Sequence, residues 1–236
     1  FLIAQIVASE DVFLCESTEV VLQATANGTD GTDTGISSDD IFGGLVNLGF
    51  NFDFYGNTYN QCVISSNNYL SFNAANAGGY SGWNIGAAVP NNFDAPMNAI
   101  LCPWQDINPG IGGNIQYSLS GEAPNRVFTV TFCAIPMFSC TDICYTSQIK
   151  LFETSNIIET HISEKPLCPT WNDGAAIHAL HNNNGTIANV VTGPDGVVRN
   201  FPNQWTALED GYRFTPNGPN DYIIEQIPYQ PVITGN

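Results

Sequence analysis

Positive charge is what this chain has least of: Lys and Arg number five among 236 residues, against 22 Asp and Glu, for a formal net charge of −17 at pH 7. Such an acidic surface repels nucleic acid and anionic membranes, and favours cationic groups or divalent cations as partners. Charge of either sign is scarce, at 11% of residues, so Asn, Ser, Thr, Gln and Gly carry the polarity. No apolar run approaches the roughly 18 to 20 residues that span a bilayer, which argues against membrane insertion. Amphipathic helices of ten or more residues are also missing, because 22 Gly and 14 Pro interrupt every candidate stretch. Paired C-x2-C spacing is absent too. The cysteines at 15, 62, 102, 133, 140, 144 and 168 include one isolated C-x3-C, so they read as disulfide formers in an oxidising compartment and not as zinc ligands. Their odd number leaves one over; Cys15 is the expected remainder, either free or paired outside this chain.

What is present is strand pattern from end to end. Phe50, Phe52 and Phe54 alternate with Asn51 and Asp53, the two-residue period of a half-buried strand, and Tyr55-Gly56-Asn57 supplies turn chemistry before the run at 62–72. Strands are predicted at 11–14, 19–24, 48–55, 58–64, 69–72, 99–103, 114–120, 126–135, 147–154, 157–163, 175–182, 212–215 and 222–229. Within them VFTVTF, QIKLFE and IIETHI alternate, and the last two are separated only by Thr154-Ser155-Asn156, so they are expected to be consecutive antiparallel strands. The fold class is therefore all-β, an antiparallel sandwich or jelly roll, in one domain over residues 1–236. Residues 1–10 are read as a signal remnant or a first strand, and 223–236 as a terminal strand leading toward a further domain. Long connections at 28–44, 73–97 and 185–208 are where a sandwich carries function.

Catalytic patterns are thin. Asp33-Thr34-Gly35 matches half of an aspartic-protease site, but no second copy exists to share the proton, and the surrounding Asn, Gly and Asp favour a turn. His161, His178 and His181 are a nominal zinc triad. His178 and His181 differ in strand parity, however, so surface or partly buried sheet positions are the plainer expectation. No G-x-S-x-G elbow occurs. Glu153 and Glu159, on adjacent predicted strands, are the best carboxylate pair for glycoside hydrolysis, and outward-facing sheet residues explain them equally well.

Binding patterns are richer. Asp30, Asp33, Asp39 and Asp40 crowd one loop, and oxygen-rich loops bind calcium where carboxylates converge; Asp106 is a second candidate calcium ligand. No other cofactor is indicated. Tyr80, Trp83 and Asn84 lie in a glycine-rich loop as a platform for stacking on a sugar, the alternative being that Trp83 folds inward as an anchor. Asn27 and Asn184 open formal N-glycosylation sequons.

FNFDFYGNTYNQCVISSNNYLSFN, followed by AILCPWQDI, GGNIQY and RVFTVTF, resembles the pattern of nidogen-like extracellular domains. SQIKLFETSNIIETHISEKPLC, WNDGAAIHALHNNNGTIA and QWTALEDGYRFTPNG are similar to a module of large cell-surface proteins of gliding Bacteroidota, including gliding-motility adhesins exported by the type IX pathway. The likeness covers residues 41–218. It implies a β-sandwich module of a longer secreted protein, without catalysis, and brings no ligand residues with it. The sorting domain that ends such proteins is absent from this sequence. The resemblance also implies a bridge between Cys140 and Cys168; Cys133 with Cys144 and Cys62 with Cys102 then complete the expected pairing. The expected role is a non-enzymatic surface adhesin module at the cell exterior, meeting a substratum, a glycan or neighbouring domains, with a lectin-like or glycan-active domain and a purely mechanical spacer as alternatives.

Overall fold

The computed structural model describes residues 31–230. Predicted strands 11–14 and 19–24, the segment 1–10, Cys15, the Asn27 sequon and Asp30 lie outside the described residues, as does the end of the 223–236 segment.

In chain order the strands are β1 (Thr32–Asp33), β2 (Phe42–Phe54), β3 (Asn57–Ser65), β4 (Tyr69–Ser71), β5 (Ala99–Trp104), β6 (Asn114–Ser120), β7 (Val127–Pro136), β8 (Cys144–Phe152), β9 (Ile158–Lys165), β10 (Ile177–His181), β11 (Ala188–Val190), β12 (Ala207–Pro216) and β13 (Tyr222–Ile227). They form two antiparallel sheets, β1-β6-β7-β8-β9-β12-β13 and β11-β10-β5-β4-β3-β2. Only two short 3-10 turns interrupt them among the described residues, and no helix there is long and apolar enough to cross a membrane.

The aromatic hairpin shows how sequence becomes structure. Phe50, Phe52 and Phe54 point into the core while Asn51 and Asp53 face solvent. Tyr55 and Gly56, at φ 45° and 73°, close a two-residue turn whose twist suits a hairpin. Tyr55 tolerates this left-handed backbone because its side chain is anchored elsewhere: the buried phenol hydroxyl donates to Asn189 Oδ1 at 2.6 Å, tying the turn to β11. As expected, β7, β8 and β9 pair consecutively and antiparallel.

The main core lies between the sheets, where Phe52, Phe54, Ile64, Leu70, Ile100 and Leu180 meet Phe128, Val130, Ile149, Leu151, Ile158 and Phe214. A second core covers the outer face of the six-stranded sheet: Ile85, Val89 and Ala95, from the loop between β4 and β5, pack on Phe42, Val63, Tyr69, Leu101 and Trp104. The sheet is thus buried on both faces at its centre, which explains why every residue of β5 is buried. On the outer face of the other sheet, residues just after β13 perform a similar service, Gln230 N–H donating to His161 Nδ1 at 3.3 Å and Lys150 Nζ donating to Gln230 Oε1 at 2.7 Å.

One disulfide forms among the described residues, Cys140–Cys168, with Cα atoms 5.9 Å apart. It ties the β7–β8 connection to the segment leaving β9. The other two expected bridges are absent. Cys62 and Cys102 both face the main core, but β4 lies between their strands, and two strand spacings, about 10 Å, exceed the Cα reach of a disulfide. Cys133 does not meet Cys144 because the β7–β8 register sets Pro136 opposite Cys144.

Candidate functional site

Three loops converge beside the N-terminal end of β2. Asp39 and Asp40 end the loop before that strand, Tyr80 to Trp83 belong to the loop after β4, and Asp106 follows β5. Asn67, buried in the tight turn between β3 and β4, holds the three together. Its Nδ2 donates to Asp40 Oδ1 at 2.9 Å and to the Ser81 carbonyl at 3.2 Å, while its Oδ1 accepts from Ile107 N at 3.4 Å. Backbone bonds reinforce the junction, Ser81 N donating to the Asp40 carbonyl at 2.8 Å and Ile41 bridging to Tyr80.

The outcome is an acidic cluster in which one carboxylate oxygen each from Asp39, Asp40 and Asp106 lies within 4.8 Å of the others. Each carboxylate is aimed by a neutral donor. Asn108 Nδ2 reaches Asp39 Oδ2 at 3.1 Å, Asp40 N donates to Asp39 Oδ1 at 3.0 Å, and the Trp171 indole donates to Asp106 Oδ2 at 2.7 Å. Burial, then the neighbouring Asp40 charge, pushes Asp39 up to about 6. Burial likewise pushes Asp106 up to about 7 against the lowering effect of the Trp171 bond, with Asp39 and Asp40 adding to the rise. Asp40 is also raised by burial. Three such groups can share protons or hold a hard cation.

The expected calcium ligands are thus divided. Asp39 and Asp40 join Asp106, which the sequence set apart from them, whereas Asp33 sits on β1 and accepts from Gly35 N at 2.8 Å as an ordinary turn. That bond is the turn chemistry expected of Asp33-Thr34-Gly35. Of the predicted sugar platform, Tyr80 is 70% exposed and Asn84 is exposed. Trp83 is half-buried against Trp171, ring centroids 5.3 Å apart. Trp171 also packs on Phe138 at 4.7 Å, so an aromatic ledge borders the carboxylates.

The histidines do not meet. Contrary to their expected surface or partly buried positions all three are fully buried: His178 faces Trp205 and Tyr212 in the main core, His181 Nδ1 lies 2.8 Å from the Pro96 carbonyl, and His161 lies on the other sheet. Glu153 and Glu159 are each engaged by a different arginine. Glu153 takes Arg126 in a bidentate bridge, and Glu159 takes Arg213 at 2.6 Å. The Asn184 sequon is exposed in a turn where Thr186 Oγ1 donates to Asn184 Oδ1 at 2.6 Å.

A second polar cluster had no signature in the sequence. A cleft of about 390 Å³ is lined by Lys165, Asp195, Arg199, Glu209, Asp210 and Gln226 among others. Lys165 and Arg199 lie 4.6 and 4.4 Å from the Trp205 ring centroid, and Arg199 is bridged to Asp210. Lys165 Nζ donates to the Trp205 carbonyl at 2.8 Å; burial, then the Arg199 charge, lowers its pKa to about 7. The lysine that ends strand IETHISEK looks in the sequence like any surface lysine.

Neither a curated protein nor a solved structure matches the chain. The sequence model of the NIDO-related family matches residues 15–216, most of its length, and the chain belongs to that family.

Proposed function

We propose that the chain is a non-enzymatic extracellular module of a longer bacterial surface protein, which contacts a substratum, a glycan or neighbouring domains and so contributes to adhesion of the gliding-motility type. A nidogen-like domain closed by a disulfide supports an extracellular setting. The finer setting, type IX export to the outer-membrane exterior, rests on the resemblance of the second half of the sequence to such modules. The observation that carries the contact role is the loop between β4 and β5. Its buried face supplies the second core, while Tyr80 and Phe93, 70% and 79% exposed, stand outward from it. Large exposed rings on a rigidly packed loop are suited to recognition. The engagement of Glu153, Glu159 and Asp210 in ion pairs supports a role without catalysis.

The test is retention of the purified chain on abiotic surfaces, glycan arrays and recombinant neighbouring domains, compared with Tyr80→Ala and Phe93→Ala. Binding to one of these, reduced several-fold in the variants, is expected. Absence of binding to all three sinks the adhesion role and leaves the mechanical spacer. A lectin-like reading is favoured by one observation, the aromatic ledge of Trp83, Trp171 and Phe138 bordering the carboxylates; glycan binding that survives loss of Phe93 but not of Tyr80 would select it.

A further inference from the structure

We infer that Asp39, Asp40 and Asp106 form a calcium site that clasps the three loops meeting at Asn67. The inference is independent of what the module adheres to.

Charge balance is the first argument. The chain's five cationic side chains are Arg126, Lys150, Lys165, Arg199 and Arg213. Arg126 bridges Glu153, Arg199 bridges Asp210 and Arg213 bridges Glu159. Lys150 bonds Gln230, and Lys165 bonds backbone carbonyls. None forms an ion pair with the three carboxylates. Their donors are neutral amides and an indole, which orient an anion without cancelling its charge.

Asp106 supplies the second argument. The residue is only 8% exposed, and while Trp171 satisfies Oδ2, the buried Oδ1 has no hydrogen-bond partner among the described residues. A buried carboxylate oxygen left unpaired is strongly unfavourable unless something positive meets it. An oxygen of this carboxyl already lies within 4.8 Å of oxygens from Asp39 and Asp40, a spacing that a single ion of Ca–O distance about 2.4 Å can bridge.

Ligand chemistry selects the ion. The group contains oxygen donors alone, without the His or Cys that zinc prefers. Its carboxylates come from two irregular loops, which suits the adaptable coordination of calcium better than the strict octahedron of magnesium. Asn67 and Asn108 then serve as the outer shell that fixes ligand direction. The consequence is mechanical, since an ion here joins the loop before β2 to the segment after β5, and through Asn67 and Tyr80 to the roof of the six-stranded sheet.

Calcium titration of the chelator-treated full chain by calorimetry at neutral pH tests this, with terbium luminescence excited through the adjacent Trp171 and Trp83 as a second readout. One saturable site is expected, with a dissociation constant between about 1 µM and 1 mM. Asp39→Asn, at a half-exposed position, should weaken binding at least tenfold, and Asp106→Asn should abolish it, whereas Asp33→Asn should leave it unchanged. A wild-type titration with neither saturable heat nor sensitised terbium emission up to about 10 mM calcium overturns the inference, the cluster then sharing protons instead. Binding that persists unchanged in Asp39→Asn and Asp106→Asn, or tighter binding of magnesium than of calcium, overturns it equally.

Discussion

The Trp171 indole N–H donates to Asp106 Oδ2 at 2.7 Å, joining positions 65 residues apart. Trp171 sits in the segment that Cys168 staples to Cys140, so the disulfide helps to position the donor that steadies the buried carboxyl. Trp171→Phe keeps a ring against Trp83 and Phe138 but removes the donor. Asp106 should then titrate above about 7, because the bond with Trp171 favours its charged form. Carbon-detected NMR of the carboxyl checks the upward shift, and urea denaturation should show a loss of about 1 to 2 kcal/mol.

Stability in chelator should depend on pH through the acidic cluster. Asp39 and Asp106 have folded pKa values near 6 and 7, above their value of 3.8 in the unfolded chain, so the folded state holds protons that the unfolded state releases. Their contribution is complete below that unfolded value and is lost as pH rises through about 6 and 7. His178 and His181, lowered mainly by burial, act in the opposite sense below their ordinary value of 6.5, so the informative quantity is wild type minus the Asp39→Asn/Asp106→Asn variant. That difference should fall by on the order of 2 kcal/mol from acid to mildly alkaline pH, after allowing for solvent screening. Added calcium should remove the fall.

Lys165 predicts a slope of the other sign. Its folded pKa near 7 lies below the ordinary 10.5, so above neutrality the unfolded chain binds a proton that the folded chain does not, and stability climbs with pH across that interval. Lys165→Met should abolish the climb and stabilise the protein near pH 6 by on the order of 2 kcal/mol, since an apolar side chain carries no desolvation cost. Urea midpoints measured near pH 6, 8 and 10 decide the matter.

The cysteines should separate by reactivity. Burial raises the Cys62 thiol and pushes Cys102 up to about 12, and both are fully buried, so neither should react with a thiol reagent before unfolding, whereas exposed Cys144 should react in the native protein. Peptide mapping after alkylation checks this. Serine at Cys140 and Cys168 should cost about 3 to 4 kcal/mol, from releasing a loop with a sequence separation of 28.

Strands in this protein were legible where side chains alternate between core and solvent. The end of β2 and most of β7 met that condition; β8 and β9 were legible from their alternation of residue type although β9 is buried on both faces from Ile158 to Ile162, and the Tyr55-Gly56 turn from its turn chemistry. The edge strands β1 and β11, two and three residues long, escaped because so short a segment has no period to detect. The first residues of β2, around Gly43 and Gly44, escaped because glycine carries no side chain to pattern. The loop between β4 and β5 was recognised as long, but its service as an outer layer depends on Ile85 and Val89 meeting β5 and β10, contacts that leave no local trace.

The sequence by itself determined the all-β class, the hairpin, the order of the central strands and, through family resemblance, the Cys140–Cys168 bridge. Each of these follows from periodicity, from turn chemistry or from a pattern shared with relatives. Only the tertiary structure decided that Asp106 joins Asp39 and Asp40 while Asp33 does not, that Cys62 and Cys102 are held apart by β4, and that Lys165 is buried against Trp205. The physical reason is common to all three: strand order and loop packing set which side chains meet, and a carboxylate, a thiol or an ammonium looks the same in the sequence whether its neighbour is water or another charge.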